Sequence, residues 1–394
     1  MNRYVSVRLK PQRPERIGHP WVFAGEISYI PAEVADGDIV VVQDSLGHAT
    51  GIAYLNRASK ITLRYLAHEV VQVDDQWWYD RLARAVRQRD MLRHVDRTDA
   101  LRLVNAESDG LPGLIVDQYA GVLVVQFLAL GLEPWRDVLV DALLDLTRPD
   151  AIWERSDVSV RDLEGIERRS GLLAGREPAD LVEIREGRAR LLVDVRSGQK
   201  TGMFLDQRRN RAAVANYAGG ASVLNCFAYS GAFGVHAGLA DARHVINADI
   251  SATACALAER NMALNMLADR SESIEANCFD MLRDFSDNDR HFDMVILDPP
   301  AFTKSRDTVD SALRGYKEIN LRAMRLLVEG GILVTCSCSQ HVDDATFKTM
   351  LRGAARDARR EVRILEQLGQ SPDHPTLLHV PETDYLICVI AEVV

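Results

Sequence analysis

The 394-residue sequence has no long apolar run and no excess of positive charge. No stretch approaches the roughly 20 apolar residues of a membrane-spanning helix, and the N-terminus lacks the apolar segment of a signal peptide. We therefore expect a cytoplasmic protein with no membrane partner. The net charge of -10 argues against a surface coated in positive charge for indiscriminate nucleic-acid binding, although it leaves room for a local basic surface.

The six cysteines do not form paired C-x-x-C motifs, so the sequence predicts neither a zinc site nor an iron–sulfur site. Free thiols are the expected state in a cytoplasmic chain of this size. Two nucleotide-binding motifs are also missing, namely the dinucleotide fingerprint G-x-G-x-x-G and the P-loop G-x-x-x-x-G-K-S/T. Their absence argues against NAD and ATP as ligands, because both motifs cradle phosphates.

The sequence pattern divides the chain into three predicted domains. Residues 1–74 alternate apolar and polar residues between glycine turns, which predicts a small β module. Residues 75–185 predict a helix and then a strand–strand–helix–strand unit, which together form a compact α+β domain. Residues 186–394 alternate strands and helices, which predicts a doubly wound, Rossmann-like α/β fold.

The most informative stretch is FDMVILDPPAFTKS, residues 292–305. Its apolar half predicts a buried strand, and Pro299 and Pro300 must end it because proline has no amide hydrogen for a sheet. Asp298 is thereby presented at the carboxyl end of a strand. In open α/β sheets this is the edge where ligands bind.

A nucleoside site is predicted at the same edge of the sheet. A turn containing Gly231 follows the first strand of the α/β domain, and Asp249 ends the second strand. Such a turn lets the backbone approach a nucleoside, and such an acid accepts hydrogen bonds from ribose hydroxyls. These two parts do not by themselves distinguish NAD from S-adenosylmethionine (SAM).

Four motifs in the last 200 or so residues, NCFAYSGAFG, ADIS, LDPPAF and TCSCS, resemble the ordered motifs of class I SAM-dependent RNA methyltransferases. GHPWVFAGEI and GDIVVVQDSLGHATGIAYLN resemble a PUA domain, a small pseudo-barrel found on RNA-modifying enzymes. With GQKTGMFLDQRRNR added, the whole chain resembles the PUA-bearing bacterial 5-methylcytosine methyltransferases of large-subunit ribosomal RNA. The resemblance implies SAM as cofactor and 23S ribosomal RNA as partner. It leaves the oligomeric state open, a homodimer being one alternative.

The resemblance also implies roles for individual residues. The expected cofactor-binding residues are Phe204, Asp206, Gln207, Phe227, Tyr229, Ser230, Gly231, Asp249, Asn277, Cys278 and Asp298. The expected substrate-binding residues are Pro299, Pro300, Phe302, Lys304 and Arg208. Asn277 stands where the family often has an acid on the adenine side. Asp206 is also predicted to cap the helix that begins at Gln207.

Methylation of cytosine at C5 needs a cysteine, because this carbon is too weak a nucleophile to take a methyl group unaided. Addition of a thiolate at C6 makes C5 enamine-like, and a base later removes the C5 proton so that the thiol can leave. Cys336 and Cys338 end the strand that we expect to lie beside the strand of Asp298. By resemblance Cys336 is the predicted nucleophile, with Cys338 as the alternative. Asp298 is expected to favour protonation at cytosine N3.

Several other functions stay open at this point. Methylation of an RNA ring nitrogen or exocyclic nitrogen would need no nucleophilic cysteine. An RNA-binding assembly factor with a decayed cofactor site would not bind SAM. Uracil C5 is an alternative target, because thiolate addition would serve there too. A small-molecule methyltransferase is disfavoured, since the β module would then have no role.

Overall fold

The structure is a computed structural model, and it describes residues 4–303 and 306–394. The chain divides into two compact units. The first contains the residues up to Val182 together with Asp194–Met203 and Asp373–Thr383, and the second contains Glu183–Val193, Phe204–Pro372 and Asp384–Val394. The boundaries of the three predicted domains, 1–74, 75–185 and 186–394, stay a prediction.

The first unit begins with a six-stranded sheet, which confirms the predicted β character of the N-terminal module. Its strands are β1 (Ser6–Leu9), β2 (Trp21–Phe23), β3 (Ile27–Tyr29), β4 (Ile39–Gln43), β5 (Ala49–Leu55) and β6 (Ile61–Ala67), in the order β2-β6-β5-β4-β1-β3. Asp44 closes the β4–β5 hairpin by accepting hydrogen bonds from the backbone N–H groups of Leu46 and His48, each at 2.9 Å. Gly47 adopts the positive φ of 92° that this turn requires.

The rest of the first unit is an α+β layer. Its elements are α1 (Asp75–Val95), β7 (Ala100–Asn105), β8 (Leu114–Tyr119), β9 (Val122–Phe127), α2 (Arg136–Thr147), β10 (Ala151–Ser156), α3 (Val160–Leu163) and β11 (Arg169–Gly175). The strands form a sheet in the order β11-β10-β9-β8-β7. Asp74 caps α1 by accepting a hydrogen bond from the Trp77 N–H, at 2.9 Å. Trp78 and Leu82 on α1 pack, fully buried, in a core shared with these strands.

The second unit contains the predicted doubly wound fold. Its elements are β12 (Val182–Glu186), β13 (Ala189–Val193), α4 (Arg208–Ala215), β14 (Ser222–Cys226), α5 (Ala232–Leu239), β15 (His244–Asp249), α6 (Ala252–Leu264), β16 (Ser271–Glu275), α7 (Cys278–Asp287), β17 (Phe292–Leu297), α8 (Val309–Leu326), β18 (Leu327–Ser337), α9 (Asp344–Ala358), β19 (Val362–Leu368) and β20 (Ile387–Val393). β12 pairs with β13, and the other strands form one sheet ordered β16-β15-β14-β17-β18-β20-β19.

This seven-stranded sheet is parallel from β16 to β18 and antiparallel at its other edge. β20 runs antiparallel to both β18 and β19, so the last strands depart from the all-parallel sheet that the alternating pattern predicts. Mixed sheets of this kind, with antiparallel strands toward one edge of an otherwise parallel sheet, are common in doubly wound folds. The core on these strands includes Leu224, Val295 and Leu333, all fully buried.

The strand register brings the predicted motifs to one edge of the sheet. β17 and β18 are direct neighbours in parallel register, with Leu297 opposite Thr335, as expected for the strands that precede Asp298 and the two cysteines. β14 and β15 are also neighbours, with Cys226 opposite Ala248. The turns after all four strands therefore leave the sheet on the same side.

None of the helices in the described part of the chain combines the length and the apolar character that a membrane span requires.

Candidate functional site

The turn after β14 is folded back by two residues with left-handed backbone geometry. Phe227 has φ 58° and Tyr229 has φ 45°, a conformation that costs a non-glycine residue about 1–2 kcal/mol. Local bonds hold it, because the Phe227 N–H donates to Cys278 Sγ at 3.3 Å and the Tyr229 N–H donates to Asp249 Oδ2 at 2.9 Å. Such retained strain is typical of a ligand-binding turn.

Gly231 completes this turn at the start of α5. It has φ 70°, and a Cβ on this residue would lie only 2.8 Å from the Ala258 Cβ on α6. Glycine is therefore required both by the backbone conformation and by the close approach of α6. The neighbouring Ser230 is buried, and its carbonyl accepts a hydrogen bond from Asn261 Nδ2 at 2.9 Å. The turn is thus rigid before any ligand arrives.

Asp249, at the end of β15, is arranged as an acceptor of further hydrogen bonds. Its Oδ2 accepts from the Tyr229 N–H at 2.9 Å, and its Oδ1 accepts from the Ser251 N–H at 3.0 Å. Each carboxylate oxygen can accept a second bond, and the side chain is only half-buried. The geometry can therefore hold a pair of hydroxyl groups.

Asn277 and Cys278 begin α7 on the other side of the same turn. Asn277 caps the helix by accepting from the Phe279 N–H at 2.9 Å, so part of its hydrogen-bonding capacity serves α7. Cys278 is buried against Cys226. Burial, with the hydrogen bond to Cys278, raises the pKa of Cys226 well above its usual range, so this thiol stays protonated.

A short hydrogen-bonded chain leads from α4 to Asp298. Asn210 Nδ2 donates to Gln207 Oε1 at 2.5 Å, and Gln207 Nε2 donates to Asp298 Oδ1 at 2.9 Å. The first bond orients the Gln207 carboxamide so that its NH2 group faces the acid. Gln207 and Asn210 are both buried, and Asp298 is partly exposed at the sheet edge.

Asp206 does not cap α4, contrary to the prediction. The N-cap position is Gln207, while Asp206 lies in a short 3-10 turn before it. Its Oδ2 accepts a hydrogen bond from the Tyr385 hydroxyl at 2.7 Å, which satisfies an oxygen that a cap would have used. Its Oδ1 is buried and has no hydrogen-bond partner among the described residues. This oxygen can therefore accept a hydrogen bond from a ligand.

The carboxyl group of Asp298 is easily protonated. Burial and the nearby charge of Asp206 raise the pKa of Asp298 to about 7, against the opposing effects of Arg211 and of the Gln207 hydrogen bond. Asp206 and Asp298 repel each other electrostatically, and the Gln207 amide donates a hydrogen bond to Asp298 alone. A positively charged ligand would relieve this repulsion.

A buried ion pair holds the backbone of this loop. Arg211 donates to both carboxylate oxygens of Glu186, at 2.7 and 2.6 Å, and its third nitrogen donates to the Phe204 carbonyl at 2.9 Å. Burial acts to raise the pKa of Glu186, but Arg211 holds it well below its ordinary range. Phe204 in turn packs edge-on against the Tyr229 ring, with centroids 5.8 Å apart.

The two candidate nucleophiles have different surroundings. Cys336 is fully buried within β18, and its hydrogen bond with Cys388, together with burial and the charge of Asp298, raises its pKa well above the usual range. Cys338 follows the end of β18 and is partly exposed. Its Sγ lies 3.9 Å from the Pro299 carbonyl, directly beside the Asp298 motif.

The five predicted substrate-binding residues differ in their exposure. Pro299 is buried, Pro300 is exposed, and the Phe302 ring packs 5.6 Å from that of Phe279 and 4.6 Å from that of Tyr316. Lys304 lies outside the described residues. Arg208 is almost fully buried at the start of α4. Its expected contact with substrate stays a prediction.

The residues present suit SAM. SAM is a nucleoside with a sulfonium and an ammonium group, so it combines ribose hydroxyls with positive charge. Asp249 beside a rigid turn suits the hydroxyls, and the incomplete Asp206 together with Asp298 suits the cationic end. In residues 4–303 and 306–394, no group of three or more His, Cys, Asp or Glu side chains has the arrangement of a metal site.

Three residues at this site were missed by sequence reasoning. Asn210 was detectable in principle, because a polar residue three positions after Gln207 shares its helix face. Tyr385 and Glu186 carry no local signal, since they lie 179 and 25 residues from their partners, Asp206 and Arg211.

Comparisons with known proteins agree with this geometry. A sequence model of S-adenosylmethionine-dependent methyltransferases matches residues 111–384, and one of PUA-like domains matches residues 7–68. The protein named Ribosomal RNA large subunit methyltransferase I from Shewanella frigidimarina is 42% identical over 99% of both chains. The protein of the same name from Aliivibrio fischeri is 39% identical over 97% of this chain and 98% of its own.

Solved structures show the same fold over nearly the whole chain. The crystal structure of a protein assigned as a methyltransferase, in complex with S-adenosylhomocysteine, superimposes with a TM-score of 0.85 at 20% identity. The match covers 98% of this chain and 100% of that one. A Streptococcus mutans protein assigned as a SAM-dependent methyltransferase gives 0.83 at 21% identity, with the same coverage.

Proposed function

Because the chain belongs to the S-adenosylmethionine-dependent methyltransferase family, we propose that it methylates C5 of a cytosine in 23S ribosomal RNA. Full-length relatives at 39–42% identity are named for large-subunit ribosomal RNA, which supports this class of substrate. The PUA-like domain at residues 7–68 supports RNA as well. Location in the cytoplasm and the homodimer alternative stay predictions.

The observation that carries the proposal is the pairing of thiols with an acid at one sheet edge. Thr335 lies opposite Leu297, so Asp298, which follows Leu297, lies beside Cys336, the next residue of β18. Cys338 then approaches the Pro299 carbonyl. Nitrogen methylation has no use for a thiol in this position, whereas C5 methylation requires one.

The protein's own groups carry the covalent steps. A cysteine thiolate adds to C6 and forms the S–C6 bond. The π pair of the C5–C6 double bond becomes a C4–C5 double bond, and the C4–N3 π pair moves to N3, which takes a proton. Bound SAM supplies the electrophilic methyl group that C5 accepts. A base then removes the C5 proton. The C5–C6 double bond re-forms as the S–C6 bond breaks to release the thiolate, and N3 gives back its proton.

Asp298 is suited to supply the N3 proton. With a pKa of about 7, a substantial fraction of its carboxyl groups carries a proton near neutral pH. Gln207 donates a hydrogen bond to Oδ1 of Asp298, which leaves Oδ2 of Asp298 for the cytosine ring. An ordinary exposed aspartate, with a pKa near about 4, would be almost entirely ionised under the same conditions.

The geometry favours Cys338 as the nucleophile. It is the more exposed of the two thiols. The Cys336 thiol is fully buried, and its hydrogen bond with the Cys388 thiol helps to raise its pKa. A nucleophile must reach the substrate as a thiolate, and both burial and the raised pKa oppose this at Cys336. Cys336, favoured by the resemblance of its motif, stays the alternative.

The test is methyl transfer from labelled SAM to protein-depleted ribosomal RNA, followed by nucleoside mass spectrometry. Wild type, Cys336→Ala and Cys338→Ala are compared side by side. We expect 5-methylcytidine from the wild type, and a loss of about 10³-fold or more only in Cys338→Ala.

The outcomes separate the alternatives. Loss only in Cys336→Ala would preserve the reaction and reverse the choice of nucleophile. A methylated nitrogen, or full activity in both variants, would contradict the cytosine C5 proposal. 5-Methyluridine would move the target to uracil, and failure of the wild type to bind SAM would support the assembly-factor alternative.

A further inference from the structure

The first unit contains a cavity of about 440 Å³ beside the end of β6 and one face of α1. It is open to solvent and is formed within this unit alone. Its lining combines flat rings, hydroxyl groups and positive charge, contributed chiefly by Tyr65, His68, Arg81, Arg84, Ser108 and His379. None of these residues belongs to the methylation site described above.

The acids that line this cavity are mostly neutralised by other residues. Glu107 accepts from Trp21 Nε1 at 2.7 Å and from Arg64 at 3.1 Å. Asp109 accepts both hydrogen bonds of a bidentate pair with the buried Arg89, at 2.7 and 2.8 Å. The exposed Glu69 is the remaining acid of the lining.

The two arginines of the lining are placed differently. Arg81 is half-buried, with its guanidinium 4.8 Å from the centre of the Trp77 ring, and Arg84 is exposed one turn further along α1. Neither forms an ion pair with an acidic side chain among the described residues. Burial and the charge of Arg84 lower the pKa of Arg81, while the charge of Glu69 raises it. A bound anion would offset the repulsion between the two arginines.

A flat surface lies next to this charge. The rings of Tyr65 and His68 are stacked, with centroids 4.7 Å apart and planes 26° apart. Burial and nearby His379 lower the pKa of His68, so its imidazole is mainly neutral at neutral pH and suits stacking. Ser108 Oγ, also in the lining, is buried without a hydrogen-bond partner among the described residues.

We propose that this cavity binds a phosphate and the adjoining base of the ribosomal RNA, away from the nucleotide that is methylated. Arginines without acid partners suit a phosphate, and stacked rings suit a single-stranded base. The net charge of -10 repels RNA at long range, so attraction must come from local groups of this kind. The proposal rests on ribosomal RNA as the substrate class.

The experiment measures binding of the full-length protein to protein-depleted 23S ribosomal RNA fragments by fluorescence anisotropy over a range of salt concentrations. Arg81→Ala, Arg84→Ala and the double variant are compared with Arg87→Ala, whose exposed side chain lies on α1 outside the cavity. We expect each cavity variant to lose about tenfold in affinity, and the slope of log affinity against log salt to fall by about one. Arg87→Ala should change neither quantity appreciably, and SAM binding should be unchanged in all variants.

Equal losses in Arg87→Ala and the cavity variants would overturn the proposal, because they would indicate a general charge effect. Unchanged affinity and salt slope in the double variant would overturn it as well. RNA affinity and its salt dependence are measured without any methylation product. The proposed RNA-binding cavity and the proposed methylation reaction can therefore be refuted independently. If wild type methylates a nitrogen but the cavity variants bind RNA weakly, only the proposed reaction fails.

Discussion

Asp249 and Asp298 occupy the same place in the sequence pattern and different places in the chemistry. Each follows an apolar parallel strand at the ligand edge of the sheet. Asp249 accepts hydrogen bonds from two backbone N–H groups. Asp298 accepts one side-chain bond and lies near Asp206, which raises its pKa to about 7. From this difference we predict that their neighbours suit Asp249 to accept hydrogen bonds from ribose and Asp298 to donate a proton.

The largest test of this comparison is Asp298→Asn. The amide cannot supply the N3 proton, so we expect kcat to fall by about 10³-fold, while the Kd for SAM rises much less. The measurement is single-turnover methylation together with calorimetric SAM binding. A loss confined to SAM binding would show that Asp298 serves only the cofactor, and the proposed contrast with Asp249 would collapse.

The matched change at the other strand end is Asp249→Asn. The new NH2 group must face a backbone N–H or a ribose hydroxyl that needs an acceptor, so we expect the Kd for SAM to rise about thirtyfold. At saturating SAM, kcat should recover to within about threefold of wild type. A persistent large loss of kcat at saturation would place Asp249 in the chemistry instead.

The orientation of Gln207 sharpens the comparison further. Asn210→Leu removes the donor that turns the Gln207 NH2 group toward Asp298, and we expect kcat to fall about tenfold with SAM binding nearly unchanged. Asn210→Asp should be worse than Asn210→Leu. Its carboxylate cannot donate to Gln207 Oε1 and instead attracts the NH2 group away from Asp298. Equal activities of the two variants and wild type would contradict the orienting role.

The smallest expected effect is a pH dependence of stability. The native state of the ligand-free protein keeps a proton on Asp298 that the unfolded chain loses above about pH 4. The resulting contribution to the free energy of unfolding is complete below about pH 4 and is lost as pH rises through about 7. The Asp298→Asn variant lacks this pH-dependent contribution, because its amide does not titrate. Between about pH 5.5 and about pH 8, we expect the Tm of wild type to fall by about 3 °C relative to this variant, measured by calorimetry. Parallel Tm curves would show that the pKa is not raised.

Sequence patterns predicted the elements that carry the site more fully than the contacts within it. The helix from Asp75, the β character of the N-terminal module and the adjacency of the strands before Asp298 and Cys336 are confirmed. Each depends on local periodicity, on turn residues or on the general topology of α/β sheets. The predicted cap at Asp206 was wrong, because the hydroxyl of Tyr385, far along the chain, binds that carboxylate.

The sequence by itself determined that acids and thiols end neighbouring strands, since proline, glycine and apolar runs act over a few residues. Only the tertiary structure decided which thiol is exposed, which acid is easily protonated and where Arg208 lies. Burial and charge depend on residues brought together from distant parts of the chain. Of the two thiols in the Cys-Ser-Cys motif, Cys336 is therefore hydrogen-bonded to the Cys388 thiol inside the sheet, while Cys338 lies beside Pro299 at the edge of the sheet.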